Sequence, residues 1–313
     1  MDKPCIIQLV PMLASVETAL QSAYEVHRLW EAPDRDALIA TIAPRVRAVA
    51  TDGHHGIPPE LMAALPALEI VSSYGVGYDA IDTAACKARN VRVSNTPDVL
   101  NDAMAEITVG LMIALCHRLP QADAFVRAGR WPAGNFGLTG ELNGAHVGIL
   151  GLGRIGKEIA RRLVAMKMKV SYHGRREQPY EPYDYYPDLV AMARDVDWLV
   201  VVAPGTAETR GIVSRQVMEA LGPEGALVNV GRGSLVDEPA MVELLAARRL
   251  GAAALDVFAD EPQVPEALWS LDNVVLSPHQ GSATHKTRGA MGDLVVRNLA
   301  AHFAGDPLPT PVV

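Results

Sequence analysis

The segment HVGILGLGRIGKEIARRLVAMKMKV, residues 146–170, places three glycines between a short apolar run and an amphipathic helical pattern. Gly151, Gly153 and Gly156 form the pattern G-x-G-x-x-G, and a second apolar run follows. In a strand–loop–helix–strand unit these glycines permit a tight turn, the approach of backbone to a pyrophosphate, and close packing of helix on strand. The helix N-terminus itself favours an anion. This segment therefore predicts a dinucleotide-binding unit.

The end of the second apolar run carries two arginines where a dinucleotide site for NAD carries a carboxylate. That carboxylate, about twenty residues beyond the glycine loop, accepts hydrogen bonds from ribose hydroxyls. Here the chain reads His173, Gly174, Arg175 and Arg176, with no Asp or Glu from Val170 onward to that pair. Guanidinium groups pair with a 2′-phosphate by charge-assisted hydrogen bonds. The segment predicts NADP, with NADPH preferred over NADH; the alternative is an arginine pair that only solvates a loop.

Short β-branched runs alternate with helical patterns along the chain, which is typical of parallel sheets covered by helices. Many of the runs are continuously apolar, as expected for strands buried on both faces. The strand candidates are CIIQLV, VRAVAT, LEIVSS, VRVSN, HVGILG, KVSYHG, DWLVVVA, GALVNVG, GAAALDV and NVVLSPH. They form two groups separated by a helical stretch over residues 101–127. We expect an α/β fold of two doubly wound units joined by a long helix, with the helical segment 287–305 returning to the first unit.

The composition excludes several classes of protein. A net charge of −8 without a basic block argues against nucleic-acid binding. The longest apolar stretch, Ile107 to Cys116, is too short for a membrane span, and the N-terminus lacks the pattern of a secretion signal. Three widely spaced cysteines predict neither a disulfide framework nor a metal site. We therefore expect a cytoplasmic protein that uses no metal and binds neither nucleic acid nor membrane.

Three segments near the C-terminal end carry candidate catalytic side chains, each just after a predicted strand. VNVGRGSLVDE contains Arg232, ALDVFADEP contains Asp256 and Glu261, and VLSPHQGS contains His279. A single His or Arg is more often structural than catalytic. Open α/β sheets, however, bind ligands at the carboxyl ends of their strands. The shared placement after strands of one sheet favours an active site.

Together, these motifs resemble the D-isomer-specific 2-hydroxyacid dehydrogenase family over essentially the whole chain. The resemblance rests on GVGYDAID, NTPDVLNDAMAEITVGLMIAL, GILGLGRIG, PGTAETRGIVS, NVGRGSLVDEPAMVELL, GAAALDVFADEPQVP and NVVLSPHQGSAT, in that order. Within the family the chain is most similar to the glyoxylate, hydroxypyruvate and hydroxyphenylpyruvate reductases, notably in GLGRIGKEIARRL, YYPDL, DLVVRNLAAHF and LPTPVV.

The resemblance implies two Rossmann-like doubly wound parallel-sheet domains with an active-site cleft between them. Residues 1–98 plus 286–313 would form a flavodoxin-like substrate-binding domain, and residues 99–285 the NADP-binding domain. A homodimer is implied as well, with residues 101–127 as the expected contact.

The family's catalytic trio corresponds to Arg232, Glu261 and His279. His279 would donate a proton to the substrate oxygen during reduction, because imidazole exchanges protons near neutral pH. Glu261, hydrogen-bonded to the other ring nitrogen, would orient the ring and favour imidazolium. Arg232 would hold the substrate carboxylate and polarise the carbonyl. For substrate binding, the resemblance adds the backbone N–H groups of Val76 and Gly77, which would cradle the anion, and His54.

The resemblance also implies a set of residues around the cofactor, among which Asp256 would hydrogen-bond the nicotinamide carboxamide. The set comprises Thr108, Gly151, Gly153, Arg154, Ile155, Gly156, His173, Arg175, Arg176, Pro204, Thr209, Val230, Asp256 and Gly281.

The expected activity is NADPH-dependent reduction of small 2-keto acids, glyoxylate or hydroxypyruvate, to D-2-hydroxy acids. Bulkier aryl or sugar-derived 2-keto acids remain open, because Gln280 replaces a smaller apolar residue common in the family. Trp131 and Phe136 either reach a partner's site or form ordinary interface packing. A dinucleotide-sensing co-repressor is the alternative from another class, although such proteins usually carry longer tails and prefer NAD. A formate dehydrogenase would carry Gln in place of Glu261.

Overall fold

The computed structural model describes residues 3–313 and divides into two compact units. One unit comprises Met1–Leu100 with Thr284–Val313, and the other comprises Asn101–Ala283. The boundaries predicted from the sequence, 98/99 and 285/286, lie two residues from these junctions. Met1 and Asp2, which the predicted first domain includes, lie outside the described residues.

Strands and helices alternate along both units. The strands are β1 (Cys5–Gln8), β2 (Glu25–Arg28), β3 (Val46–Thr51), β4 (Ile70–Ser73), β5 (Arg92–Ser94), β6 (His146–Leu150), β7 (Lys169–His173), β8 (Asp184–Tyr185), β9 (Trp198–Val201), β10 (Ala226–Asn229), β11 (Ala252–Leu255) and β12 (Val274–Leu276). The helices are α1 (Ala14–Ala23), α2 (Arg35–Ile42), α3 (Pro59–Ala64), α4 (Thr83–Ala88), α5 (Asn101–Cys116), α6 (Leu119–Arg127), α7 (Arg154–Ala165), α8 (Leu189–Asp195), α9 (Arg215–Leu221), α10 (Glu238–Ala246) and α11 (His285–Ala304).

Both sheets are parallel and doubly wound, which confirms the predicted fold class. The first unit has the strand order β2-β1-β3-β4-β5, the order of flavodoxin-like sheets. The second has the order β12-β11-β10-β9-β6-β7-β8, so the chain starts at β6 and builds outward in both directions. Parallel strands end at the same edge of a sheet, so the loops after β6, β7 and β9–β12 share one edge.

Each of the ten predicted strand segments contains a strand, whereas β2 and β8 were not predicted from the sequence. Both are edge strands, with the sequences EVHR and DY, and neither contains a fully buried residue. An edge strand of a parallel sheet contacts the sheet on one side only and tolerates polar and charged residues. The apolar run that identifies a central strand is therefore missing from both segments.

The prediction of one long helix over residues 101–127 is wrong. The stretch forms two helices, α5 and α6, bent by 60°. Arg118 between them has a left-handed backbone with φ 52°. Pro120, in the first turn of α6, has no N–H to continue the helix, and its ring would clash with the preceding turn. Within residues 3–313 no single helix is long and apolar enough to cross a membrane, and only this bent pair meets those criteria, by length and composition alone.

The last helix packs on the first unit. Its buried residues include Met291, Leu294, Val295 and Leu299, and α11 contacts both α1 and β4. Beyond the helix, the carbonyl oxygen of Val313 accepts a hydrogen bond from the N–H of Val93 on β5 at 3.1 Å. Both ends of the chain therefore build one sheet unit, and the second unit is inserted between them.

Candidate active site

The predicted catalytic side chains follow three neighbouring strands of the second sheet. Arg232 comes shortly after β10, Asp256 comes directly after β11, and His279 comes shortly after β12. Glu261 lies in the loop that follows β11. Since the three strands are parallel and adjacent, the second unit gathers these residues at its carboxyl edge.

His279 and Glu261 form a direct hydrogen-bonded pair. The Nδ1 atom of His279 lies 2.6 Å from Oε2 of Glu261. The other carboxylate oxygen, Oε1, accepts the N–H of Phe258 at 2.9 Å, which fixes the orientation of the carboxylate. An ionised carboxylate only accepts hydrogen bonds, so the proton of the pair lies on Nδ1. Nε2 is then the ring atom that can exchange a proton with a ligand. The histidine side chain is 42% exposed and the glutamate side chain 17%.

Arg232 lies in a turn built by a buried asparagine. The Asn229 side chain donates to the carbonyl oxygen of Arg232 at 3.0 Å and accepts the N–H of Gly231 at 3.1 Å. A Cβ atom at Gly205 would lie 3.0 Å from Cγ of Arg232, so a larger residue there would crowd the arginine. Sequence analysis missed Asn229, although a polar residue ending an otherwise apolar strand was the available signal.

Asp256 holds the segment that carries His279. Its carboxylate is completely buried and accepts three hydrogen bonds: from Oγ of Ser277 at 2.5 Å, from N–H of Gln280 at 2.8 Å and from N–H of Gly281 at 2.9 Å. Its carbonyl oxygen accepts the N–H of His279 at 2.9 Å. His279 has φ 54°, a left-handed conformation that is uncommon for residues other than glycine. These four hydrogen bonds hold the histidine backbone in that conformation.

This arrangement gives Asp256 a structural task beyond the predicted contact with a carboxamide. It also identifies Ser277, which sequence analysis missed and which could have been found as a hydroxyl residue just before the Pro-His pair. The backbone of Gln280 takes part in the arrangement through its N–H group.

The glycine loop has the close approaches that its pattern predicts. Gly151 has φ 102°, and a Cβ atom there would lie 2.7 Å from the backbone of Ala203. A Cβ atom at Gly156 would lie 2.2 Å from the carbonyl oxygen of Gly151. Gly153 is the N-cap of α7, and apart from Gly153 and its two chain neighbours no described residue has an atom within 4 Å of the position its Cβ would occupy. The loop thus leaves space at the positive end of a helix dipole, which fits a pyrophosphate.

The remaining predicted cofactor residues belong to the same unit. Arg154 and Ile155 begin α7, and His173 ends β7, with its Nδ1 atom 2.8 Å from the carbonyl oxygen of Tyr186. Arg175 and Arg176 are exposed in the loop beyond it.

Other members of the set follow β9 and β10 or lie on α5. The Thr209 hydroxyl accepts the N–H of Thr206 and donates to the carbonyl oxygen of Pro204, both at 2.8 Å, and so fixes the loop after β9. Val230 is buried just after β10. Thr108 is buried on α5, which packs on β10, β11 and β12. A Cβ atom at Gly281 would lie 2.5 Å from Sδ of Met104 on that helix.

The predicted substrate residues His54, Val76 and Gly77 lie in the first unit, whereas the catalytic trio lies in the second. The three substrate residues occupy the loops after the adjacent strands β3 and β4. These two loops are close together, since a Cβ atom at Gly53 would lie 2.1 Å from the carbonyl oxygen of Gly77. The side chain of Asn95 donates to the carbonyl oxygen of Val76 at 2.8 Å. Within residues 3–313 no backbone carbonyl accepts a hydrogen bond from the N–H groups of Val76 and Gly77.

Two aromatic residues considered from the sequence differ in their surroundings. Trp131 is 63% exposed. Phe136 packs on Phe125, with ring centroids 5.5 Å apart, and Arg118 lies over its ring. Phe136 therefore has an intramolecular role, whereas Trp131 presents most of its surface to solvent.

Comparison with known proteins decides the family. The family model of the D-isomer specific 2-hydroxyacid dehydrogenase NAD-binding domain matches residues 109–281, more than half of the chain. The chain belongs to this family. It is 47% identical over 313 residues to glyoxylate/hydroxypyruvate reductase A of Arabidopsis thaliana, covering 100% of both chains. It is also 47% identical over 308 residues to hydroxyphenylpyruvate reductase of Plectranthus scutellarioides, covering 98% of each.

A solved structure agrees with these relatives. The NADPH-dependent glyoxylate/hydroxypyruvate reductase of Sinorhizobium meliloti, in complex with NADP and malonate, has a TM-score of 0.94 and 44% identity, covering 100% of this chain and 97% of that one. The predicted family, its reductase group and the oxidoreductase class are thereby confirmed. The protein is a 2-hydroxyacid dehydrogenase or reductase with a dinucleotide-binding domain.

The buried carboxylate of Asp256 can be tested by Asp256→Asn. The amide keeps the size but turns an N–H₂ group toward a buried donor, which costs about 1–3 kcal/mol for each donor left unpaired. We expect a lower thermal unfolding midpoint and slower keto-acid reduction. Asp272→Asn is the matched control, because that exposed carboxylate pairs with Arg248 at the surface and such pairs contribute at most about 1 kcal/mol. Equal effects of the two substitutions on stability and turnover would contradict this role.

Proposed function

We propose that the protein is an NADPH-dependent reductase that converts glyoxylate or hydroxypyruvate to the corresponding D-2-hydroxy acid. The observation that carries the proposal is the His279–Glu261 pair at 2.6 Å, at the sheet edge that also carries Arg232 and the glycine loop. A proton donor, its orienting carboxylate and a guanidinium are the groups that reduction of a 2-keto acid needs besides a hydride.

In the proposed mechanism each protein group has one task. NADPH, when bound, would supply a hydride to the carbonyl carbon of the keto acid. His279 donates the proton from Nε2 to the carbonyl oxygen, which completes the hydroxyl group. Glu261 holds Nδ1 and stabilises the imidazolium that precedes the transfer. Arg232 binds the substrate carboxylate with its planar guanidinium and fixes the carbonyl group for attack.

The preference for NADPH rests on Arg175 and Arg176. Both are exposed in the loop after β7, the strand next to β6 and its glycine loop, and no acidic residue lies between Val170 and Arg176. Two guanidinium groups attract a 2′-phosphate, whereas a carboxylate at the end of β7 would repel it. The solved relative named NADPH-dependent, in complex with NADP, supports the same choice.

The substrate proposal favours small keto acids, in line with the relatives named for glyoxylate and hydroxypyruvate. The hydroxyphenylpyruvate reductase of equal identity makes an aryl pyruvate the second candidate. The loops bearing His54, Val76 and Gly77 would then set the size of the acid accepted.

A steady-state panel tests both parts of this proposal. We expect glyoxylate and hydroxypyruvate to give the highest kcat/KM among 2-keto acids, with hydroxyphenylpyruvate as the bulky comparison. With the best acid, NADPH should exceed NADH by roughly tenfold or more, since one hydrogen bond to a charged group is worth about 1.5–3 kcal/mol. Oxidation of neither cofactor with any acid would refute the reductase. A preference for NADH would refute the cofactor assignment alone.

The double variant Arg175→Ala with Arg176→Ala completes this test. It should reduce kcat/KM for NADPH by roughly the factor by which the wild type prefers NADPH to NADH. The value for NADH should stay nearly unchanged, because only NADPH carries the 2′-phosphate. Arg194→Ala, which removes an exposed arginine of α8, is the control. Equal losses with both cofactors would contradict the role of the arginine pair.

We further propose a homodimer whose contact centres on α6 and the segment after it. Among the described residues α6 contains no buried residue. Exposed apolar side chains occur on α6 and also in the segment that follows it. Val126 is 53% exposed, Trp131 63% and Leu138 100%, and a contact between two copies would remove these apolar side chains from water.

Light scattering of the purified protein should give the mass of a dimer, and Val126→Glu with Leu138→Glu should shift it toward a monomer, because two buried carboxylates would oppose the contact. The control substitution is Val164→Glu on α7, which adds the same charge at an apolar residue that is 48% exposed and lies outside the proposed contact. It should leave the mass unchanged. A monomeric wild-type protein would contradict the proposal.

A further inference from the structure

The loop that carries the two arginines, residues 174–181 and here called the arginine loop, is anchored along its length. The hydroxyl of Tyr185 donates to the carbonyl oxygen of Gly174 at 3.2 Å. The N–H of Gln178 donates to the hydroxyl oxygen of Tyr172 at 2.6 Å. Tyr172 is 1% exposed and therefore offers a rigid anchor. At the far end, Glu181 pairs with Lys157 of α7 at 2.7 Å.

One side chain joins this loop to the glycine loop. The Nε2 atom of Gln178 donates to the carbonyl oxygen of Leu152 at 2.8 Å. Leu152 is buried and lies between Gly151 and Gly153, the glycines assigned to the pyrophosphate. Gln178 thus has a backbone bond to a core tyrosine and a side-chain bond to the phosphate loop. The amide bridge fixes where the arginine loop lies relative to the glycine loop.

We propose that Gln178 is a positioning residue for selection of NADP over NAD. The proposal rests on the proposed function, in which the glycine loop binds the pyrophosphate and the arginine pair binds the 2′-phosphate. These two groups are attached to the same ribose, so their binding loops must keep a fixed spacing. A bridged loop is ordered before binding, whereas an unbridged loop must be ordered by the ligand, at a cost in conformational entropy.

The entropic cost of ordering the arginine loop weakens the binding of NADP only. NAD has no 2′-phosphate, so its binding does not require the arginines to be in place. The spacing between the two loops therefore affects the ratio of the two affinities, while the glycine loop by itself affects both equally.

Arg175 also lies near a carboxylate, that of Glu208, which can compete with a 2′-phosphate for its guanidinium. A hydrogen bond with Thr206 lowers the pKa of Glu208, and the positive charge of Arg175 lowers it further, so this carboxylate lies within electrostatic reach of the guanidinium. Glu208 is exposed in the loop after β9. Without the bridge, the arginine loop is freer to turn its guanidinium toward this carboxylate and away from a ligand.

Titration calorimetry with NADP⁺ and NAD⁺, without keto acid, tests the proposal on Gln178→Met. Methionine keeps the length and apolar contacts of the side chain and removes the N–H₂ donor. We expect the dissociation constant for NADP⁺ to rise roughly tenfold, as for loss of one hydrogen bond with its ordering cost, and that for NAD⁺ to change by less than about twofold. The thermal unfolding midpoint without ligand should stay close to that of the wild type.

Gln121→Met is the matched control, because its Nε2 atom also donates to a backbone carbonyl, that of Asp272 at 2.9 Å, among residues outside the cofactor set. It should leave both dissociation constants unchanged. If the wild type discriminates but Gln178→Met retains the same ratio, or weakens both cofactors equally, the inference is overturned and the proposed function stands. A wild type with equal affinity for NADP⁺ and NAD⁺ overturns the inference together with the proposed cofactor preference.

Discussion

A buried carboxylate must have its hydrogen bonds satisfied, and at Asp256 this requirement shapes the active-site loop. Three donors from residues 277–281 converge on its two oxygens, and its carbonyl oxygen holds the N–H of His279. The left-handed backbone of His279 is compatible with the fold because these bonds fix the residues on either side. With the histidine backbone fixed, the short bond to Glu261 fixes the ring as well. The position of His279 therefore depends on a residue that is itself inaccessible to solvent.

The same sheet edge carries two separate tasks. The loops after β6 and β7 offer the glycine turn and the arginine pair, and the loops after β10, β11 and β12 offer Arg232, Glu261 and His279. Parallel pairing brings the two groups to one edge, although Gly151 and His279 lie far apart in the sequence. The loops proposed for cofactor selection and those proposed for proton transfer are therefore different loops at one edge of the sheet.

Much of the fold was predictable because central parallel strands are apolar without interruption. The edge strands β2 and β8 were missed because most of their residues are polar. The helix break at Arg118 was missed although Pro120 marks it in the sequence. Motifs at strand ends led to the proposed catalytic residues Arg232, Glu261 and His279, which the structure places at one edge of the second sheet. The supporting residues Asn229, Ser277 and Gln178 were missed, because a polar residue at the end of a strand or in a loop usually faces water. Only the folded chain determines which backbone groups come within reach of these side chains.

In the proposed reaction His279 delivers the proton to the keto acid, whereas binding of the cofactor depends on other residues. The most direct measurement is single-turnover oxidation of NADPH by hydroxypyruvate in His279→Ala, with NADP⁺ binding measured on the same protein. We expect the rate to fall by about 10²–10⁴-fold, the usual contribution of a general acid, with NADP⁺ affinity nearly unchanged. A rate equal to that of the wild type would contradict this role of His279.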